Sequence, residues 1–119
     1  MDMKYYYKTC DGKVVELKQQ DELYLCYMDI VELVIPDGCK IVSCYENQLN
    51  VLILPDGCKE VWCYNNQLKE LVIPNGCKEV YCCYNQLKEF IVPNGCGKFW
   101  ADMKSITKLN KIDNLRLFI

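Results

Sequence analysis

The sequence predicts a β-rich solenoid built from short repeats, and three observations indicate this fold class. The four prolines recur at a constant interval of 19 residues, at Pro36, Pro55, Pro74 and Pro93. The stretch 58–68 has similar copies in the same register at 39–49 and at 77–87. Within each copy two apolar residues are separated by one residue, which is the period of a strand with one buried face. A short fixed period is the signature of a solenoid, in which each coil buries its apolar side against its neighbours.

Length and composition indicate a single folded domain that spans residues 1–119. Hydrophobic residues make up 51% of the chain, which excludes a disordered protein. The formal net charge is −2, so we expect neither nucleic acid nor a membrane surface as a partner. No run of about 18 apolar residues is present, and we expect no membrane span. The N-terminus lacks the apolar core of a signal peptide, which predicts an intracellular, reducing location.

Residues 1–19 are predicted to form an N-terminal β-hairpin cap. Asp11 and Gly12 are a strong tight-turn pair between an alternating tyrosine segment and a return strand at 14–17. A solenoid needs such a cover, because the open end of its first coil exposes apolar core and an unpaired strand edge.

Residues 20–106 are assigned to the repeats and residues 107–119 to a closing strand. The first coil is degenerate, as terminal repeats usually are. The four later coils each begin at a cysteine: Cys39, Cys58, Cys77 and Cys96. The last of them has Lys104 where the others have asparagine, and the segment 112–117 repeats the apolar spacing once more. The Pro-Asx-Gly triplets are predicted turns, with proline at the second position and glycine supplying a positive φ.

The repeat follows the template apolar-x-x-apolar-x-apolar-x-x-Asn-x-Leu. In the central coil its members are Cys58, Val61, Cys63, Asn66 and Leu68. The spacing resembles the signature L-x-x-L-x-L-x-x-N-x-L of leucine-rich repeats, with cysteine in two leucine positions. Its short period and apolar-x-Pro pattern are similar to repeats of bacterial effectors and some large DNA viruses, which would place the chain in a host cytoplasm.

The resemblance to leucine-rich repeats covers roughly residues 20–117 and has implications for the architecture. It implies a right-handed solenoid, of the α/β superclass by family, with one parallel sheet of about six short strands on the concave side. The convex returns are expected to be extended, because residues 69–76 have no room for a proper helix.

Asparagine recurs at an inward position of three successive coils, at Asn47, Asn66 and Asn85. We expect an asparagine ladder in which each amide bonds to the backbone of its own coil and the next. An unpaired amide in the core would cost about 1–3 kcal/mol, so the ladder must be nearly satisfied. A row of ligand-binding asparagines is the alternative.

The repeat register places seven of the ten cysteines in two inward columns. These are Cys39, Cys58, Cys77 and Cys96 in one column and Cys44, Cys63 and Cys82 in the other. Because a free thiol behaves as a small hydrophobe, we predict a buried cysteine ladder without metal or cofactor. Zinc and a disulfide ladder are the alternatives. Cys10, Cys26 and Cys83 lie outside the columns and are predicted to be the most reactive thiols.

Outward positions of the predicted sheet carry most of the aromatic residues of the repeats. The candidate partner-binding residues are Tyr24, Tyr45, Trp62, Tyr64, Tyr81, Tyr84 and Trp100. Tyrosine and tryptophan anchor protein interfaces, because they combine large apolar area with a polar group. The alternative is a cross-strand aromatic ladder that only stiffens the sheet.

No catalytic constellation is present in the sequence. The chain has no histidine, and its glycines do not form a phosphate-binding loop. We therefore predict a non-catalytic protein–protein interaction module that binds an unknown protein through a concave aromatic face, in an undetermined oligomeric state. The alternatives are the substrate-recognition arm of a larger effector enzyme and a binder of carbohydrate or another small ligand.

Overall fold

The computed structural model describes residues 3–102, 106, 108–109 and 116–118. Within these residues the chain is β-rich, contains no helix, and forms a parallel-sheet β-solenoid of about 4 turns. The solenoid class predicted from the 19-residue period is therefore confirmed. Lys104 and the segment 110–115 lie outside the described residues, so the predicted departure at Lys104 and most of the segment 112–117 receive no structural account.

Each coil contributes one short strand to a main sheet, in which all strand pairs are parallel. In the part of the chain that the structure describes, its strands are β3 (Glu22–Tyr24), β5 (Ile41–Ser43), β7 (Glu60–Trp62), β9 (Glu79–Tyr81), β11 (Lys98–Trp100) and β13 (Arg116–Phe118). Val42 pairs with Val61, and Val61 with Val80, so the register advances by one repeat per strand. Side chains at equivalent repeat positions therefore stack in columns.

The closing strand β13 joins the main sheet by pairing in parallel with β11, where Phe99 lies opposite Leu117. The interval between these partners (117 − 99) is 18 residues, one fewer than the 19 between Val61 and Val80.

The return side of the coils carries a second series of short strands. These are β4 (Ile30–Val34), β6 (Val51–Ile53), β8 (Glu70–Val72), β10 (Glu89–Phe90) and β12 (Lys108–Leu109). Strand β6 pairs with β8, and β10 with β12, each time in parallel. The core lies between the two series and includes the fully buried Val61 and Leu68.

The N-terminal hairpin consists of β1 (Tyr6–Thr9) and β2 (Val14–Glu16), which pair antiparallel. The free edge of β1 pairs antiparallel with β4, where Tyr7 lies opposite Leu33. Tyr7 is buried and joins the core. The hairpin thus extends the return side, while the main sheet ends at β3 among the described strands.

The Pro-Asx-Gly triplets form the corners that lead into the main sheet. The amide of Cys58 donates to the carbonyl of Pro55 at 3.2 Å, and Gly57 has a φ of 89°. Proline is therefore the first residue of the turn, and its predicted second position was wrong. Glycine supplies the positive φ as predicted, at the third position.

Candidate functional site

The outward side chains of the main sheet form two adjacent columns that we call the aromatic face. The first column is Tyr24, Ser43, Trp62, Tyr81 and Trp100, and the second is Cys26, Tyr45, Tyr64, Cys83 and Asp102. Both columns alternate with inward residues along each strand, so their side chains lie on the outer side of the sheet, where Ser43 is nevertheless covered and only 7% exposed.

The rings of the aromatic face are arranged in two stacks instead of one continuous stripe. In the first, Trp62 and Tyr81 lie 3.8 Å apart between ring centroids with an interplanar angle of 19°. Trp100 lies beside this stack, with its ring centroid 6.1 Å from that of Tyr81 and tilted by 57° to it. In the second, Tyr45 and Tyr64 stack at 4.5 Å with an interplanar angle of 7°.

Two of the predicted residues stand apart from these stacks. Tyr24 is 63% exposed and pairs in register with Ser43, which has no ring to stack on. Tyr84 is 68% exposed and follows Cys83 in the strand exit. The backbone amide of Tyr84 donates to a carboxylate oxygen of Asp102, which fixes this exit.

Tyr27 belongs to the site but was missed by the sequence analysis. Its ring meets Tyr45 edge to face, with 5.7 Å between centroids and an interplanar angle of 87°. The φ of Tyr27 is 58°, a left-handed conformation that turns the chain out of the strand. Its alignment with Tyr84 in the repeat was the available signal, because both residues precede the inward asparagine position.

A column of carboxylates runs beside the first aromatic column and orients its rings. The indole Nε1 of Trp62 donates to Oε1 of Glu60 at 2.6 Å. The hydroxyl of Tyr81 donates to Glu79, and that of Tyr24 donates to Glu22. Each pair lies two residues apart on one strand, and hence on one face.

The environment of these phenols keeps them protonated. Burial, followed by the hydrogen bond to Glu79, raises the pKa of Tyr81 to about 12. The hydrogen bond to Glu22 is the main reason that the pKa of Tyr24 is raised. The rings are therefore neutral hydrogen-bond donors, while Glu79 also lies 3.9 Å from Nζ of Lys98 on the next strand.

The inward asparagines anchor the chain directly beneath the strand exits of the aromatic face. Oδ1 of Asn66 accepts from the amide of Leu49 at 3.0 Å, while Nδ2 donates to the carbonyls of Cys44 at 3.0 Å and Cys63 at 3.1 Å. Asn47 and Asn85 bond in the same way. The partners lie in the same and the preceding coil, not in the next coil as expected.

The inward cysteines are buried, as the register predicted. All seven members of the two columns are at most 5% exposed. Burial raises the pKa of the Cys39 thiol to about 11 and raises those of Cys44 and Cys63 as well. Among the described residues, no group of three or more cysteine or carboxylate side chains is arranged to hold a metal ion.

The cysteines outside the columns are more accessible. Cys10 is exposed, while Cys26 and Cys83 are half-buried on the aromatic face. The sulfur of Cys26 lies 3.2 Å from the hydroxyl oxygen of Ser43.

The return side has a groove of about 660 Å³ between β4 and β6 that the sequence analysis did not identify. Val34, Val51 and Ile53 line it with exposed apolar side chains. The alternation of Val51, Leu52 and Ile53 was the available signal, because it places the first and third side chains outward. The groove lacks the ring stacks and carboxylate column of the aromatic face.

Comparisons with protein-family models, with curated proteins and with solved structures find no match for this chain. Its geometry and sequence therefore carry the functional argument. In the part of the chain that the structure describes, no helix has the length and apolar character needed to cross a membrane.

Proposed function

We propose that this chain is a non-catalytic protein-interaction module and that the aromatic face is its docking surface. The observation that carries the proposal is the ordered exposure of aromatic rings on one side of the main sheet. Trp62 and Tyr81 are stacked on each other and hydrogen-bonded to carboxylates, so little side-chain entropy is lost on binding. Trp100, at 43% exposed, offers further apolar area of the kind that anchors interfaces.

The ring geometry favours a protein over a carbohydrate as the ligand. A sugar stacks on an open ring face, whereas Trp62 and Tyr81 cover one face of each other and Tyr45 and Tyr64 do the same. The ring edges and polar tips that remain outward suit the mixed apolar and polar surface of a protein. The recognition arm of a larger effector enzyme would use the same face in the same way.

We infer that the repeats belong to the short leucine-rich class, with a right-handed solenoid of about six coil strands. The support is the apolar spacing together with the asparagine bonds that join neighbouring coils. An intracellular protein fits the number of free, buried thiols, because reducing compartments preserve them. We expect no catalytic activity from the chain itself.

Affinity capture with two matched double variants tests the docking surface. Trp62→Ala with Tyr81→Ala removes the first stack, while Ile53→Ala with Val72→Ala removes exposed apolar side chains from the return strands. We expect the first variant to lose partner recovery at least tenfold and the second to retain it. Circular dichroism and urea unfolding confirm that both are folded. Equal recovery by the wild type and the aromatic-face variant would overturn the proposal.

A further inference from the structure

The outer side of β3 is an open edge of the main sheet. Strand β3 pairs with β5 on one side, and among the described strands it has no partner on the other. The carbonyl of Asp21 and the amide of Leu25 bond toward β5. Because successive residues of a strand direct their N–H and C=O groups to opposite sides, those of Glu22 and Tyr24 point to the open side. We call these four backbone groups the β3 edge.

The equivalent backbone groups are hydrogen-bonded in the interior of the sheet. Glu79 and Tyr81 occupy the corresponding positions of β9, three repeats further along the chain. There the amide of Glu79 donates to the carbonyl of Lys59 at 3.2 Å, and the carbonyl of Tyr81 accepts from the amide of Cys63 at 2.9 Å. The β3 edge is therefore a strand-pairing position that no described strand of the chain fills.

In the described part of the N-terminal segment, no element covers this edge. Strand β1 of the hairpin is bonded on both sides, to β2 and to β4. Residues 17–20 lie at the corner of the first coil, where Nε2 of Gln19 donates to the carbonyl of Asp37 at 3.1 Å. The side chains of Glu22 and Tyr24 are exposed beside the edge. An open edge of this kind is a template for an extended segment of another chain.

The carboxylates beside the edge indicate a basic residue in the incoming strand. On β9, Oε1 of Glu79 accepts from a tyrosine of its own strand and lies 3.9 Å from Nζ of Lys98, its in-register neighbour on β11. Oε1 of Glu22 also accepts from a tyrosine of its own strand, but its in-register neighbour on β5 is the uncharged Ile41. Asp21 adds a second exposed carboxylate. A lysine or arginine opposite Glu22 would form the pair that Lys98 forms with Glu79, and such opposite charges stabilise strand pairing.

The ring beside the edge indicates an aromatic residue two positions further along the incoming strand. Tyr81 on β9 is half-buried, and Trp62 of the preceding strand β7 stacks on it with 3.8 Å between ring centroids. Tyr24 has no described strand on the corresponding side and is 63% exposed. A ring in register with Tyr24 would take the place that Trp62 has on Tyr81.

We propose that the β3 edge binds an extended segment of a partner protein, which joins the main sheet as a further parallel strand. The segment carries Lys or Arg opposite Glu22 and Trp or Tyr opposite Tyr24, with a small apolar residue between them. That middle residue lies opposite Leu23, whose side chain is only 2% exposed and leaves little room on the core side. A second copy of this chain fits less well, because its own β3 edge brings further acidic side chains to the same place. The site stands whether or not the ring stacks of the aromatic face dock a partner.

Amide exchange measured by NMR with a synthetic peptide tests the site. The probe is the acetylated and amidated peptide Ser-Thr-Lys-Val-Trp-Thr-Ser at millimolar concentration. We expect saturation to slow exchange of the Glu22 and Tyr24 amides at least tenfold, and to leave the Leu25 amide, which already donates to Ser43, unchanged. A peptide with glutamate in place of lysine should bind at least fivefold more weakly. Unchanged exchange at Glu22 and Tyr24, or equal affinity for the two peptides, would overturn the inference.

Two substitutions separate the contribution of the charge from that of the backbone. Glu22→Gln should weaken peptide binding at least threefold, whereas Glu70→Gln, at an exposed strand position of the return side, should leave it unchanged. Tyr24→Pro removes an N–H group of the edge together with the ring and should abolish binding. Proline is tolerated in an edge strand where the N–H faces solvent, so we expect this variant to fold. If it does not fold, Glu22→Gln decides, and unchanged binding to that variant refutes the site.

Two further measurements identify the occupant of the edge. The folded Trp62→Ala, Tyr81→Ala variant should bind the peptide as the wild type does, and loss of binding would place the peptide on the ring stacks and overturn the inference. A dimer in analytical ultracentrifugation whose Glu22 and Tyr24 amides are protected without peptide would assign the edge to a second copy, which also overturns it. Because partner capture through the ring stacks depends on other residues, failure of either proposal leaves the other standing.

Discussion

The residue before each inward asparagine position has the most constrained backbone in its coil. Tyr27, Glu46, Asn65 and Tyr84 have φ values of 55–58°. The left-handed conformation costs most residues about 1–2 kcal/mol and is tolerated best by glycine and asparagine. The repeats accept this cost because the turn brings the next residue inward, which is asparagine in three of these four coils and Met28 in the first.

Substitution of Asn65 isolates this backbone cost. Both Asn65→Ala and Asn65→Gly lose the hydrogen bond from Nδ2 to Glu46, which is 2.6 Å long. We expect Asn65→Gly to be more stable than Asn65→Ala by about 1 kcal/mol, since only alanine is strained at positive φ. Urea unfolding of the two variants measures the difference. An alanine variant as stable as the glycine variant would contradict the left-handed assignment.

Removal of the Asn66 side chain should have a larger effect on stability. Asn66→Ala leaves the amide of Leu49 and the carbonyls of Cys44 and Cys63 without their side-chain partner. We expect a loss of about 1–3 kcal/mol in the free energy of unfolding. The exposed neighbour Gln67 is the control, and Gln67→Ala should change stability by less than about 0.5 kcal/mol. Similar values for the two variants would refute the structural role of Asn66.

At the scale of the elements, the sequence predicted the two outward columns of the aromatic face well. It predicted the stacking of their rings only in part. Alternation within one strand determines which side chains face outward, and the period of 19 residues aligns them between strands. The interruption of the first aromatic column at Ser43 can be read from that alignment. The edge-to-face position of Tyr27 could not be predicted, because it depends on a left-handed backbone that a tyrosine rarely adopts.

The two buried cysteine columns predict how many thiols a reagent can label in the folded and in the unfolded chain. With a small thiol reagent in native buffer, we expect rapid labelling of Cys10 and slower labelling of Cys26 and Cys83, which are partly buried. The seven buried thiols should react only as the chain unfolds, so denaturant should raise the total to ten. Mass spectrometry of the labelled protein gives both numbers. Native labelling of more than three thiols without unfolding would contradict the columns.

The sequence predicted that the N-terminal segment forms a hairpin, but it did not predict which strand the hairpin pairs with. The Asp11-Gly12 turn predicted a hairpin, and β1 and β2 confirm it. Its attachment to β4 depends on the long-range pairing of Tyr7 with Leu33, which no local pattern encodes. The cap therefore protects the return strands and not the edge of the main sheet.

Deletion of residues 1–19 should expose the β4 edge and lead to self-association. The lost pairing partner leaves unbonded backbone groups beside apolar side chains, which favours edge-to-edge contacts. We expect a lower unfolding midpoint and a rise in apparent mass by analytical ultracentrifugation. As a control, Val14→Ser changes an exposed side chain of the outer strand β2 and should leave both unchanged. A deletion variant that remains monomeric with an unchanged midpoint would exclude a capping role.

At the scale of the whole molecule, buried thiols predict a loss of stability in alkaline solution. Thiols of the unfolded chain ionise near pH 8.5, whereas burial raises the pKa of Cys39 to about 11 in the fold and raises those of Cys44 and Cys63. The folded state therefore holds more protons above pH 8.5, and stability falls as pH rises. Stability should be fully present below pH 8.5 and should fall progressively towards pH 11.

Urea unfolding in a reducing buffer at several pH values from 7 to 10.5 measures this dependence. The Cys44→Ala, Cys63→Ala variant is the matched comparison, because it removes two buried thiols from one column. Its unfolding midpoint should decline less steeply above pH 8.5 than that of the wild type. Parallel curves for the two proteins would assign the alkaline loss to other groups.

The constant 19-residue register from β3 to β11 allows the molecule to be extended by whole coils. Every coil meets its neighbours through the same main-chain bonds, such as that from the amide of Lys59 to the carbonyl of Lys40, at 2.7 Å. A duplicate of residues 58–76 inserted after Gly76 would add one rung, about 4.8 Å, and one more tryptophan–glutamate pair. The number of coils therefore sets the length of the aromatic face, in steps of about 4.8 Å.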